Sequence, residues 1–595
     1  MIKLSTYIFQ VLKSRNIDTV FMVTGGGAMH LNDSIAKSKD LRVIYTHHEQ
    51  GASIAAEGYA RVLNKPAILN VTTGPGSINA LNGVHGAYTD SMPMIVISGQ
   101  VKKETLSTSY DIGGIRQLGD QEVDIISMVK GITKYAHEVI DPNSILYHLE
   151  KAIFLATNKR PGPVWLSIPV DIQGKIIDDS KLIGFRPTKE IQINNDVSIK
   201  KIIDKLIKSK RPVIICSTGI RIANAINELE KFIDITGIPI VTAWCHDIIS
   251  HNHNCYIGKQ GSIGNRAGNF AVQNADLVLI IGSRMPIRQI SYNWENFAKE
   301  AYKIQIDIDP LEIQKPFIKI NLGVVIDAKL FLEKIIEEIK LNNVVFDFNQ
   351  WLKWCQERKQ KYPVLQSHHL DRSKPLNPYN FLFQLDKVLN SEDIIVCGNA
   401  SACIMPFQTI NIKKGQQLFS NSGSASMGYD LPAAIGASVS NPKKRIICIA
   451  GDGSIMMNLQ ELETIKNYNL NIKIIILNNE GYLSIKSTQK AFFGQEYGSG
   501  LNSGISFPNF NKIGDAFSIK NILIDKDNFE NLLENSINES GPIILNVKLD
   551  PNQGFEPKLS SKKLPNGELV SSSLEDMYPF LNEDELNTNI YKNEK

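Results

Sequence analysis

Asp452 and Asn479 are the residues whose types and spacing point most directly to chemistry. Asp452 lies in Gly451-Asp452-Gly453-Ser454, after the run Lys444 to Ala450, which reads as a short buried strand. Asn479 follows a second apolar run, Ile472 to Leu477. In a parallel sheet both strands end at the same edge, so the two side chains are expected to be neighbours in space. A carboxylate, an amide oxygen and a free backbone carbonyl suit a hard cation such as Mg²⁺. Gly453 and Ser454 open a helix, where outward N–H groups suit a phosphate. Met457, Leu459, Leu462 and Ile465 sit near helical spacing and predict one amphipathic helix between the strands. Cation plus phosphate points to a diphosphate cofactor.

The elements that position these residues repeat along the chain. Residues 1 to about 180 alternate apolar runs with helical patterns, the runs being Thr19-Val23, Arg42-Thr46, Ala67-Val71, Met94-Ser98 and Val164-Ile168. That alternation predicts a mostly parallel α/β sheet. Glycine clusters end two strands, at Gly25-Gly26-Gly27 and Thr72-Thr73-Gly74-Pro75-Gly76. Neither has the spacing of a dinucleotide fingerprint. A polar stretch over 180–198 reads as a linker. A second α/β set follows, with Val213-Cys216, Ile238-Thr242, Leu277-Ile281 and Lys303-Ile308 as strands. Residues 340 to about 378 read as irregular and charged, and Pro375 and Pro378 introduce a third set. The expectation is three doubly wound parallel-sheet domains, over 1–180, 198–340 and 375–552, with a tail over 553–595.

Composition is that of a globular protein: 595 residues, 43% hydrophobic, 21% charged, net charge +3. The charge is spread out and gives no nucleic-acid footprint. No stretch approaches the roughly 20 apolar residues of a membrane span, and the N-terminus lacks the apolar core of a signal peptide. Seven cysteines without framework spacing suit a reducing compartment, so a cytoplasmic location is expected. Cys245, His246, His251, His253 and Cys255 contain enough ligands for zinc, but in no finger pattern; a polar surface loop is the expectation.

Gly-Asp-Gly, then 24 residues from Ser454 to Leu477, then Asn-Asn, resembles the thiamine diphosphate motif. An ordinary βαβ unit would explain a lone Gly-Asp-Gly but not this spacing. The resemblance implies that Asp452, Asn479 and the Gly481 carbonyl hold Mg²⁺, which anchors the cofactor's diphosphate, with Gly453 and Ser454 beside it. His47-His48-Glu49-Gln50-Gly51-Ala52, then Ala56-Glu57-Gly58-Tyr59-Ala60-Arg61 and Thr73-Gly74-Pro75-Gly76-Ser77, resemble the pyrimidine-binding domain of acetolactate synthases. That family's catalytic glutamate falls on Glu49. A carboxyl bonded to the pyrimidine favours the imino tautomer that takes the thiazolium proton, and a water-shielded carboxyl shares a proton readily.

The same resemblance assigns further positions. Gln121 matches a glutamine near the reacting carbons. The family's phenylalanine before it is Asp120 here. Lys134 matches a lysine near the site entrance. Arg284-Met285-Pro286-Ile287-Arg288 keeps both arginines of a family stretch and loses its two acids, so Arg288 is a candidate for an acceptor carboxylate or phosphate. Gly398 and Asn399 can keep diphosphate contacts, whereas Ala400 replaces a histidine. Met427 matches the residue that props the cofactor into its bent shape. Thr488 stands where the family has a tryptophan on the acceptor side.

The central domain resembles one that holds a redox-silent FAD, which makes FAD a candidate second cofactor. The family's architecture implies a homodimer or homotetramer, with Glu49 of one subunit meeting the Asp452 site of another. The implied reaction decarboxylates a 2-keto acid, pyruvate first among candidates, and adds the acyl unit to an acceptor carbonyl. A carboligase using another acceptor such as a keto-sugar, a simple decarboxylase and a silent regulatory paralogue are the alternatives. The tail, polar with apolar anchors, could fold over the site as a lid.

Overall fold

The computed structural model describes residues 1–110, 112–188, 196–243, 247–563 and 569–592. Buried apolar runs pair into three six-stranded sheets, every pairing within them parallel. In the first, β1 (Thr19–Met22), β2 (Arg42–Tyr45), β3 (Ala67–Val71), β4 (Met94–Gln100), β5 (Tyr135–Glu138) and β6 (Pro163–Pro169) lie in the order β2-β1-β3-β4-β6-β5. The central sheet holds β7 (Pro212–Cys216), β8 (Ile240–Thr242), β9 (Tyr256–Lys259), β10 (Leu277–Ile281), β11 (Tyr302–Asp307) and β12 (Leu322–Val325), in the order β9-β8-β7-β10-β11-β12. The third holds β13 (Ile394–Cys397), β14 (Gln417–Phe419), β15 (Ile446–Gly451), β16 (Ile472–Asn478), β17 (Lys520–Ile524) and β18 (Ile543–Lys548), in the order β14-β13-β15-β16-β18-β17. The first and third sheets thus share one topology. The three-domain doubly wound α/β reading holds.

First and third domains meet through two helices, α1 (Glu49–Leu63) and α2 (Asp430–Ser440). Small residues let the backbones touch: a Cβ at Gly436 would lie 1.9 Å from the Ala55 carbonyl oxygen. A buried charge network closes the junction. Arg61 pairs with Glu57 and, at 2.9 Å, with Asp90; the Tyr429 hydroxyl donates to Glu57 at 2.7 Å. Asp90 also accepts from the Gly423 N–H and from Arg284 of the central domain, so one carboxylate touches all three domains.

Several expectations need correction. The amphipathic helix after Asp452 is broken into Asp452–Ile455, a 3₁₀ turn Met456–Asn458 and Glu461–Asn467. Leu462 and Ile465 are buried, but Met457 is exposed, because Asn458 turns inward to donate to the Gly428 carbonyl at 2.7 Å. Within 340–378, Asn349–Lys361 is a helix that buries Trp351, Leu352 and Cys355 in the central core. Cys245 and His246 lie outside the described residues. Their companions are not an exposed loop: His251 is buried and stacked on Tyr256, and its Nδ1 accepts from the Ile412 N–H. Cys255 is buried, which pushes its thiol up to about 11, and His253 bonds Asp234 and the Cys255 N–H. The tail is strapped along the central domain, with Leu574 in its core and Tyr591 edge-on to Trp351 and Trp354. Among the described residues no helix is long and apolar enough to cross a membrane.

Candidate active site

β15 and β16 are neighbours in register, Gly451 opposite Leu477, so their next residues meet at one sheet edge. Asp452 Oδ2 accepts the N–H groups of Asn479 and Gly481, both at 3.1 Å, and Oδ1 accepts that of Gly453 at 2.7 Å. Burial pushes the Asp452 carboxyl up to about 7 although these N–H groups pull the other way. A buried carboxylate without a cation is costly, and an adjacent cation removes that cost. Asn479 is buried and its amide nitrogen donates to Ser401 Oγ at 3.4 Å. Its amide oxygen accepts from none of the described residues. The donor set is all hard oxygen, which fits Mg²⁺.

Around this edge the backbone is kept close. Tyr482 lies over Gly453, where a Cβ would sit 2.0 Å from its ring. Ser454 Oγ donates to Asp430 and accepts the Gly428 N–H at 2.9 Å. Gly398 donates to the Ile449 carbonyl at 2.8 Å and has Asp430 against its Cα. Asn399 donates to the Ala425 carbonyl, holding the 398–400 turn against the 423–428 loop that carries half-buried Met427. Burial pushes Asp430 up to about 6. Asp430 and Tyr482 are contacts that the sequence reading omitted; Asp430 has no local signal beyond starting a helix.

Glu49 occupies the corresponding edge of the first sheet. It opens α1, capped by His48 Nδ1 accepting the Gln50 N–H at 3.0 Å. Its Oε2 accepts from Asn79 Nδ2 at 3.0 Å, and its other oxygen faces Gly76. Gly74, at φ +60°, leaves room for the Gln121 carbonyl, which a Cβ there would meet at 2.1 Å. Glu49, the 72–76 loop and Gln121 therefore converge. Asp120 and Gln121 are exposed on a loop organised by buried Glu122. Burial raises the Glu122 pKa, but bonds from Ser107, Leu118 and Gly119 outweigh it, and the net shift is downward. His85 shares a hydrogen bond with Ser424 across the domain junction, at 3.1 Å.

A cavity of about 650 Å³ opens between the third domain, the central domain and the tail. Asn399, Ala400 and Ala425 line one part of it; Arg288, Thr488 and Lys558 line others. Among the described residues, none of its lining comes from the first domain. Neither Glu49 nor Asp452 lines it; the cavity adjoins the Asp452 edge through Asn399 and Ala400. Thr488 lies on helix α3 (Leu483–Phe493) and donates to the Ser484 carbonyl at 2.9 Å. Lys134 is engaged elsewhere, donating to the carbonyls of Asn158 and Arg160 at 2.9 and 2.6 Å; burial lowers its pKa to about 8. It shapes the 158–162 loop and does not line the cavity.

A second cavity of about 450 Å³ lies at the carboxyl ends of β7, β10 and β11. The central strand order reverses between β7 and β10, the position where such sheets bind nucleotides. Gly219, Gly282, Arg284 and Asp307 line it, joined by Lys159 and Arg160 from the first domain. Burial pushes Asp307 up to about 6.

Comparison with known proteins finds a matching family model within each of the three sheet domains. The thiamine pyrophosphate enzyme N-terminal TPP binding domain matches residues 2–128, its central domain residues 199–335 and its C-terminal TPP binding domain residues 398–547. The chloroplastic acetolactate synthase of Arabidopsis thaliana is 31% identical over 91% of this chain and 80% of its own. The acetolactate synthase large subunit of Cyanidium caldarium is 30% identical over 93% and 94%, and that of Lactococcus lactis 29% identical over 93% and 94%. The chain belongs to the acetolactate synthase-like large-subunit family of thiamine diphosphate-dependent enzymes.

Proposed function

We propose that this chain is a thiamine diphosphate- and Mg²⁺-dependent carboligase that decarboxylates pyruvate and joins the acetyl unit to an acceptor carbonyl. The observation that carries the reading is Asp452 accepting the N–H groups of both Asn479 and Gly481 at adjoining strand ends. Asp452, Asn479 and the Gly481 carbonyl would hold the cation. Gly398, Asn399, Gly453 and Ser454 would face the diphosphate, and Met427 would hold the two rings at their angle. When bound, thiamine diphosphate supplies an electron sink that lets a 2-keto acid lose its carboxylate as CO₂.

The remaining work falls to side chains. Glu49, steadied by Asn79, holds and releases a proton at its carboxyl oxygen. Gln121 orients the reacting carbons, with Asp120 beside it. Among the described residues none of the first domain lines the large cavity, which supports a site completed by Glu49 from a second copy of the chain, in at least a dimer. The intact Asp452 and Glu49 settings argue against a silent paralogue. The central cavity has the topology and size for the nucleotide portion of FAD.

Incubating the protein with pyruvate, thiamine diphosphate and Mg²⁺ tests this reading. CO₂ release that needs both cofactors is expected; no CO₂ from pyruvate would overturn it. Acetolactate as the main product would identify pyruvate as acceptor too, and flavin absorbance of purified protein would report FAD.

A further inference from the structure

The charge and chemistry of the 650 Å³ cavity suggest more about the acceptor than the motifs do. Its described lining contains no carboxylate and no histidine, but two cations, Arg288 and Lys558. Neither cation has an ion pair among the described residues. The carboxylate nearest Lys558 in sequence, Glu556, is held by His368 at 2.9 Å and His369 at 3.4 Å, and does not line the cavity. Hydroxyls dominate the rest, including Ser291, Ser487, Thr488 and Ser560. Tyr292 and Phe492, both exposed, offer aromatic faces. The cofactor would take the part near Asn399 and Ala425. The remaining lining, from segments 287–292, 484–492 and 555–561, exceeds what a three-carbon acid needs.

Lys558 is fixed in place. Its backbone pairs with Tyr578 in both directions, at 3.0 and 2.7 Å, and Leu559 donates to the Ser262 carbonyl at 2.7 Å. The Glu556 N–H donates to the Tyr379 hydroxyl, and Gln408 donates to the Pro557 carbonyl. The tail therefore presents one lysine to the cavity from a bonded strap. Burial lowers the pKa of its ammonium and outweighs the opposing charge of Glu556; an incoming anion would act in the same raising direction as Glu556.

We propose that the acceptor is a phosphorylated keto-sugar, its phosphate held by Arg288 and Lys558 and its hydroxyls by the serine-rich wall. A carboxylate needs one cation; a phosphate ester carries nearly two charges and suits an arginine with a lysine. The step balances without oxidant or reductant. Pyruvate loses CO₂, the acetyl carbon keeps the electron pair and bonds the sugar's carbonyl carbon, and the sugar oxygen takes a proton to become an alcohol. This inference rests on the proposed carboligase function and names its acceptor.

The test measures pyruvate-dependent C–C bond formation with four probes: fructose, fructose 6-phosphate, a uridine diphosphate-linked 4-ketohexose and 2-ketobutyrate. A phosphate-bearing sugar should exceed both fructose and 2-ketobutyrate in kcat/KM by at least about tenfold, the worth of one charge-assisted contact. Which of the two phosphorylated probes wins tells a monoester from a nucleotide diphosphate. Lys558→Met and Arg288→Met should each lower that preference by about tenfold through KM, and Lys558→Arg should restore most of it. Equal use of fructose and both phosphorylated sugars, or preference for 2-ketobutyrate, would overturn the inference while leaving carboligase function standing. Absence of CO₂ from pyruvate with every probe would instead remove the function on which it rests.

Discussion

The proposal that the two half-sites lie on different chains is tested by pairing two inactive variants. Glu49→Gln removes the proton-handling carboxylate at the edge of the first sheet, and Asp452→Ala removes the carboxylate that gathers the Asn479 and Gly481 N–H groups. Each alone should cut turnover by about 10²-fold or more, the usual worth of an acid–base group. Among the described residues, the large cavity draws none from the first domain of its own chain. With the proposed inter-chain site, a heterodimer of the two variants has one site carrying both lesions and one carrying neither. Co-expression with two different tags and tandem affinity purification isolates that heterodimer. It should show about half the wild-type activity per dimer, against about 1% for either parent. If both half-sites belonged to one chain, each site would keep one lesion. A heterodimer no more active than its parents would refute the reasoning.

Other consequences are independent of that assembly. Arg61→Met leaves Glu57 buried without its cation and Asp90 with Arg284 alone, so urea unfolding should show a loss of about 3–5 kcal/mol. Burial, then His137 and Lys151, hold His148 at about 4, below its unfolded value near 6.5. On acidification the unfolded chain takes that proton first, so stability should fall from about pH 6.5 towards pH 4. His148→Gln should flatten that part of the profile; an unchanged slope would contradict it. Thiamine diphosphate with Mg²⁺ at about 100 times its dissociation constant should stabilise the protein by about 2.7 kcal/mol. EDTA or Asn479→Leu should abolish that gain in a thermal-shift assay.

Strands that carry the chemistry were legible because they are buried on both faces and read as apolar runs, as in Ile472-Lys473-Ile474-Ile475-Ile476. Apart from Arg42–Tyr45, edge strands were not. Tyr135–Glu138, Gln417–Phe419 and Lys520–Ile524 are short and partly polar, because one side faces solvent. Ile543–Lys548 is interior and its signal is present, an apolar run after Gly541-Pro542. Asp452 and Asn479 were readable as neighbours because strand ends in a parallel sheet coincide. Lys134 was not readable as a loop tie, since its partners are backbone carbonyls without side-chain signature. Lys558 carries no local signal either, because its place depends on the path of the whole tail.

The claim that binds these observations is that Glu49 activates the held cofactor. Exchange of the cofactor's C2 proton for deuterium, followed by acid quench and proton NMR, measures that activation without any acceptor. The wild-type protein with Mg²⁺ should exchange it far faster than free thiamine diphosphate, and Glu49→Gln, still binding cofactor, should lose about 10²- to 10⁴-fold of that rate. Equal exchange in wild type and Glu49→Gln would contradict the account.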